Sequence, residues 1–221
     1  MKTLVIYLIC TRHENLGSCN SRELYNIFER IKPEVIFDET PPSYFDIYYV
    51  DKKRSNLEST AINLYKQEYG ILNIPVDSDE VPDQSFFDEF QKLHLRIERL
   101  SDKDGFNYRN LTDRNIENSA IHGFQYLNSD SANYFYNEIK LAIESGLKTL
   151  DNENLDSIYK NWQQLTNKRE DTMLKNIYEY SEKYPFDCAI FTVGTAHRES
   201  IIEKINIIRR TQDIQLDWRN I

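Results

Sequence analysis

The sequence predicts an α/β fold: a central, mainly parallel sheet of four or more strands flanked by helices, with a large all-helical middle section at about 83–184. Three observations predict it. Short apolar runs rich in β-branched residues recur at 3–9, 35–37, 71–76 and 188–193, the pattern of strands buried on both faces. Amphipathic helical segments separate the first three runs, and strand–helix–strand order calls for parallel neighbours. From Pro82 to Tyr184 the helical period continues without a convincing strand. At 221 residues and 26.3 kDa the expectation is one domain, 1–221, with 83–184 as a helical insertion within it.

The elements follow in order. Lys2 and the apolar Leu4–Cys10 have the outline of a short leader, and Leu8-Ile9-Cys10 that of a lipidation site. Arg12, His13 and Glu14 follow at once, so Thr3–Ile9 reads instead as a buried first strand. Ser18–Ile31 is a helix: Leu24, Ile27, Phe28 and Ile31 recur at its spacing, Ser18 or Asn20 can cap it, and Lys32-Pro33 stops it. Val35–Phe37 is a second strand. Asp38–Asp51 is a tyrosine-rich loop with Pro41-Pro42. Leu57–Tyr69 is a helix ended by Gly70, and Ile71–Val76 is a third strand closed by Asp77. Four helices are expected at Asp83–Leu100, Asn110–Leu127, Ser131–Leu147 and Leu155–Lys183. Pro185 and Phe186 break the last. Cys188–Val193 is a fourth strand, His197–Arg209 a helix, and Ile214–Trp218 alternates weakly as an edge strand.

Composition narrows the function. Lys and Arg number 27 against 36 Asp and Glu, a net charge of −9, which argues against nucleic acid or an anionic membrane as partner. Three cysteines make no disulfide framework and point to a reducing, cytoplasmic setting. Six glycines leave no long phosphate-cradling loop, and no apolar run is long enough to span a bilayer. A small-molecule or peptide substrate remains. Oligomeric state is not readable.

The chemically capable residues gather by position. His13, Glu39, Asp77 and His197 each lie just past the carboxyl end of an expected strand, the edge at which open parallel sheets bind ligands. The histidines share a frame: Cys10-Thr11-Arg12-His13 and Gly194-Thr195-Ala196-His197 each follow a strand, with Thr second and His fourth. Gly194 would ease the turn. Two imidazoles and a carboxylate suit a divalent transition metal with water completing its shell, or acid–base work without one. Each residue also has a plainer reading: hydrogen-bonded loop histidines, Glu39 as a cap, Asp77 as a turn former, Cys10 and Cys188 as packed thiols, and His94 and His122 as ordinary positions.

With these residues placed, the chain resembles the superfamily of the TraB/PrgY and TIKI proteins, the erythromycin esterases and the ChaN-like haem-binding lipoproteins. Cys10–His13 resembles its opening Gly-x-x-His. Lys32-Pro33-Glu34-Val35-Ile36-Phe37-Asp38-Glu39 resembles its Lys-Pro-x-x-Val-x-x-Glu. Glu58, Gly70 and Ile74-Pro75-Val76-Asp77 resemble the next element, Lys168–Met173 an Arg-containing helix, and Gly194–His197 the closing Gly-x-x-His. Cys10 stands where the family has glycine, and Glu170 is an extra residue between Arg169 and Asp171. The resemblance implies a hydrolase of peptide, ester or lactone bonds. His13, Glu39 and His197 would bind a divalent metal (Mn, Zn or Co) or activate water. Arg169 would orient an acidic group or stabilise an oxyanion, and Asp77 and Glu58 would face the substrate. Arg169 lies four residues before Met173, on the same helical face, which favours an inward position over a solvated one. The alternatives are haem or other small-ligand binding, or an inactive, partner-binding descendant. Specificity is expected in the 41–51 loop and the helical middle.

Overall fold

The computed structural model describes residues 3–80, 82–209, 214 and 216–221. Five parallel strands form one sheet: β1 (Leu4–Thr11), β2 (Val35–Asp38), β3 (Leu72–Pro75), β4 (Cys188–Gly194) and β5 (Leu216–Asn220). Helices α1 (Ser21–Ile31) and α2 (Leu57–Tyr69) connect the first three strands. Four helices then run in succession: α3 (Gln84–Glu98), α4 (Lys103–Leu127), α5 (Asp130–Leu150) and α6 (Glu153–Lys183). Helix α7 (Arg198–Ile208) follows β4. The parallel sheet and the helical middle are those the sequence predicts. The edge strand lies two residues later than Ile214–Trp218. Gln215 within that segment, and Lys2 of the leader-like segment, lie outside the described residues. No helix among the described residues is long and apolar enough to cross a membrane.

The strand order is β3-β2-β4-β1-β5, so β4 inserts between β1 and β2. Alternation along the strands sends side chains to opposite faces. Ile9, Ile36 and Ile190 pack with α1, α2 and the helical middle. Ile6, Leu8, Phe37 and Phe191 pack against Met173, Leu174 and Ile177 of α6 and Ile201 and Ile205 of α7. Both faces are therefore covered, which is why the strands read as continuous apolar runs.

Local chemistry sets the boundaries. Asn20 caps α1 by accepting from Glu23 N, and Asn56 and Ser59 form a reciprocal capping box on α2. Helix α4 begins seven residues before the expected Asn110. Asp102 accepts from Asp104 N and Gly105 N there, a cap that the polar stretch before Asn110 conceals. Helix α4 is also broken at Gly123 (φ +54, ψ −135), where a Cβ would stand 2.5 Å from the Ser18 carbonyl oxygen. Ser18 N donates to the Ala120 carbonyl at 2.7 Å, so the kink receives the loop that follows β1.

The end of β1 needs a substitute neighbour. Strand β5 pairs only with Leu4–Leu8, leaving the Cys10 backbone beyond its reach. The Asn128 side chain completes the ladder: Cys10 N donates to Asn128 Oδ1 at 2.7 Å, and Asn128 Nδ2 donates to the Cys10 carbonyl at 3.0 Å. Both groups are buried. Asn128→Ala should therefore lower stability by on the order of 2 kcal/mol or more, since two buried backbone groups lose their partners. Urea unfolding checks this; an unchanged midpoint would contradict it.

Candidate active site

The sheet order predicts a row of site residues at the carboxyl edge: Asp77 beyond β3, Glu39 beyond β2, His197 beyond β4 and His13 beyond β1. The contacts follow that row. Arg169, reaching in from α6, donates from Nη2 to Asp77 Oδ2 and Glu39 Oε1, each at 2.7 Å, and its Nε lies 3.1 Å from Asp77 Oδ1. Glu39 Oε2 accepts from Gly194 N at 2.6 Å. His197 Nε2 stands 3.3 Å from Glu39 Oε1, and its Nδ1 stands 2.7 Å from Glu170 Oε1. At the far end, His13 Nδ1 faces Glu58 Oε1 at 3.4 Å, and Thr11 Oγ1 donates to the same oxygen at 2.5 Å.

The two imidazoles thus occupy contrasting settings. The His197 side chain is 10% exposed and that of His13 is 61% exposed. Burial alone would lower the His197 pKa. The flanking Glu39 and Glu170 carboxylates outweigh it and raise the value to about 9. His13 is also raised to about 9, chiefly by its hydrogen bond to Glu58, with Glu58, Glu39 and Asp38 adding their charge against partial desolvation. Burial would raise the Glu39 carboxyl, but His197, His13 and Arg169 hold it well below the ordinary carboxylate range. Glu170 is likewise lowered against its burial by His197, Ser200 and Lys204.

Gly194 has an ordinary φ of −57, so it does not serve a left-handed turn. A Cβ there would stand 3.4 Å from Glu39 Oε2 and 3.6 Å from the His197 ring, ordinary contact distances, so space does not demand glycine either. Cys10, which stands where the motif it resembles has glycine, is a fully buried strand residue whose thiol is pushed up to about 12 by burial. It is a packing residue. Arg169 does turn inward, with Met173 fully buried on the same helix. The residue expected to be an insertion, Glu170, is the buried partner of His197, whereas Asp171 is exposed and pairs with Lys204.

Two groups escaped the sequence reading. Glu170 sits on a helix far from His197 in the chain and carries no local mark. Asp38, expected at the start of a loop, instead ends β2 and is 3% exposed. It accepts from Thr40 Oγ1 at 2.5 Å and from the Tyr49 hydroxyl, and burial raises its pKa to about 6. Tyr49 belongs to a π-helical turn, Asp46–Val50, within the tyrosine-rich loop. Apolar neighbours and strand alternation placed Asp38 opposite Glu39, a signal that was present in the sequence.

Among the described residues, no three His, Cys, Asp or Glu side chains are grouped as ligands for a metal ion. Both Glu39 oxygens and both His197 nitrogens already face protein partners, so no chemical step is routed here through a metal.

No protein-family model and no curated protein matches the chain. Among solved structures, an erythromycin esterase (EreC, a mutant in its open conformation) matches over 97% of this chain and 68% of its own, with 14% identity and a TM-score of 0.39. A match at that level says nothing about the chemistry of the site.

The ion pairs make stability depend on pH. His197, raised from 6.5 to about 9, contributes stability that is complete below 6.5 and lost as pH rises through about 9. Glu170, lowered from 4.5, contributes stability that is present above 4.5 and lost as pH falls below it. Glu170→Gln should therefore lower the melting temperature most between about pH 4.5 and 6.5, with the deficit shrinking toward pH 9. Thermal unfolding from acid to alkaline pH checks this; a deficit independent of pH would contradict the pairing.

Proposed function

We propose that the chain is a hydrolase of an ester, lactone or peptide bond in a small-molecule or peptide substrate, with His13 as general base and acid. One observation carries the reading: each of the two histidines has a carboxylate at Nδ1, and one ring is exposed while the other is buried. A carboxylate at Nδ1 fixes the tautomer that leaves Nε2 to act, and strengthens it as a base. Glu58, itself held by Thr11, does this for His13. The ordered motifs that resemble the TraB/PrgY, TIKI, erythromycin esterase and ChaN-like superfamily support the same class.

In this reading neutral His13 takes a proton from water as the water oxygen attacks the acyl carbon. The tetrahedral oxyanion gathers beside Arg169 and the His197 imidazolium. Arg169 Nε and Nη2 are committed to Asp77 and Glu39, and Nη1 makes no hydrogen bond among the described residues, so Nη1 is the donor left for the substrate. His13 then returns its proton to the leaving oxygen or nitrogen as the acyl bond breaks. Glu39 and Asp77 hold the guanidinium in place. Glu170 keeps His197 charged.

His13→Ala should lower kcat/KM by roughly 10²–10⁴-fold on any substrate found by screening ester, lactone and peptide panels. Because His13 must be neutral and His197 charged, kcat/KM should show a limb that rises with pH toward about 9 and should fall above it as His197 loses its proton. Glu58→Gln should move that limb toward 6.5 while reducing the limiting rate. A pH–rate profile of wild type and both variants checks this. Full activity without His13, or a limb unmoved by Glu58→Gln, would contradict the assignment.

A further inference from the structure

Each candidate histidine has an arginine beside it in sequence, Arg12 before His13 and Arg198 after His197. The loops that carry them are joined, because β1 and β4 are neighbours and Thr195 Oγ1 donates to the Thr11 carbonyl at 2.9 Å. Both arginines lie where α5 covers this part of the sheet edge. Arg12 is within electrostatic range of Tyr136 on α5, Arg198 is within range of Cys10, and Tyr136 and Cys10 are within range of each other.

Neither guanidinium donates a hydrogen bond to any described residue. Arg12 Nε is buried without a partner. Arg198 is 6% exposed, and its carboxylate neighbour among the described residues is Asp130, 3.6 Å away with a fully exposed side chain. Elsewhere around the site, cations are answered: Arg169 by Asp77 and Glu39, Lys204 by Glu170 and Asp171. Glu39, Asp77 and Glu170 stand on the β2–β3–α6 side and Glu58 beside Thr11 and His13, whereas toward α5, among the described residues, Arg198 has only the long pair to exposed Asp130 and Arg12 keeps an unpartnered Nε. Arg12 is half-buried, yet its withdrawn Nε lacks an acceptor, and the planar guanidinium fork matches an oxyanion. In a chain of net charge −9, general attraction does not bring an anion here; a local pair of forks would.

We propose that Arg12 and Arg198 form an anion subsite beside His13 and His197 that takes a carboxylate or phosphate group carried by the substrate. The proposal rests on the hydrolase reading only in calling the bearer of that group a substrate. It gives the cleft a polarity: the acidic end of the ligand lies toward β1, β4 and α5, and the bond to be cleaved lies toward Arg169.

The test is calorimetric titration of the full chain with inorganic phosphate and, separately, succinate. Wild type should bind at least one of them at a single site, and the preferred probe distinguishes phosphate from carboxylate. Arg12→Gln and Arg198→Gln should each weaken binding by about tenfold or more. Lys168→Gln, which removes an exposed lysine paired with Glu80, should leave binding unchanged. If Arg198→Gln does not fold, Arg198→Lys serves in its place: it keeps the charge, loses the fork and should still weaken binding. Binding of neither anion by wild type, or equal binding by the arginine variants, would overturn the proposal. Because the readout is binding, loss of the hydrolase reading and loss of this subsite are separate results.

Discussion

The buried carboxylate of Glu39 ties the candidate site together. It lies just past β2 and accepts from the Gly194 backbone of β4, from Arg169 of α6, and faces His197 in the turn after β4. Three separate parts of the chain meet on two oxygen atoms. Such a group is held ionised only while its cations stay in place, and they in turn need it. A buried ion pair of this kind is weak evidence of net stability, but removing one member leaves the others charged and unpaired. The arrangement therefore fixes geometry more than it adds free energy, as a site requires.

Sheet topology supplies the rest. Insertion of β4 between β1 and β2 brings the two histidine frames, 184 residues apart in the chain, onto adjacent strands with Thr11 opposite Gly194. The same order puts β2 and β3 beyond them, which lines up Asp77, Glu39, His197 and His13. Helix α6, the last of the helical middle, lays Arg169 and Glu170 across that row. The consecutive residues turn to different partners: Arg169 to the β2 and β3 carboxylates, Glu170 to the β4 histidine. The helical middle thus completes the site as well as covering the sheet.

Much of this was legible in the sequence. Strand positions followed from apolar runs, and His13, Glu39, Asp77 and His197 from their place just beyond them. Arg169 could be placed inward because Met173 shares its face. Glu170 was not legible, since its role depends on how far α6 crosses the sheet, and no pattern within a helix reports that. Asp38 is hard to place from sequence because a carboxylate at a strand end resembles the start of a loop. The beginning of α4 was late because packing and the Asp102 cap hold a polar first turn that has little apolar period of its own. The functional contribution of Asn128 was equally hidden, because the gap it fills exists only once β5 has paired with the first half of β1.

The candidate chemistry depends on two histidines held cationic by carboxylates, one buried and one open. Side-chain ¹⁵N NMR titration of the four histidines, assigned with single His→Gln variants, tests that claim most directly. His13 and His197 should each titrate near 9, and His94, lowered by burial, below 6.5. Titration of both His13 and His197 at the ordinary value of 6.5 would contradict it.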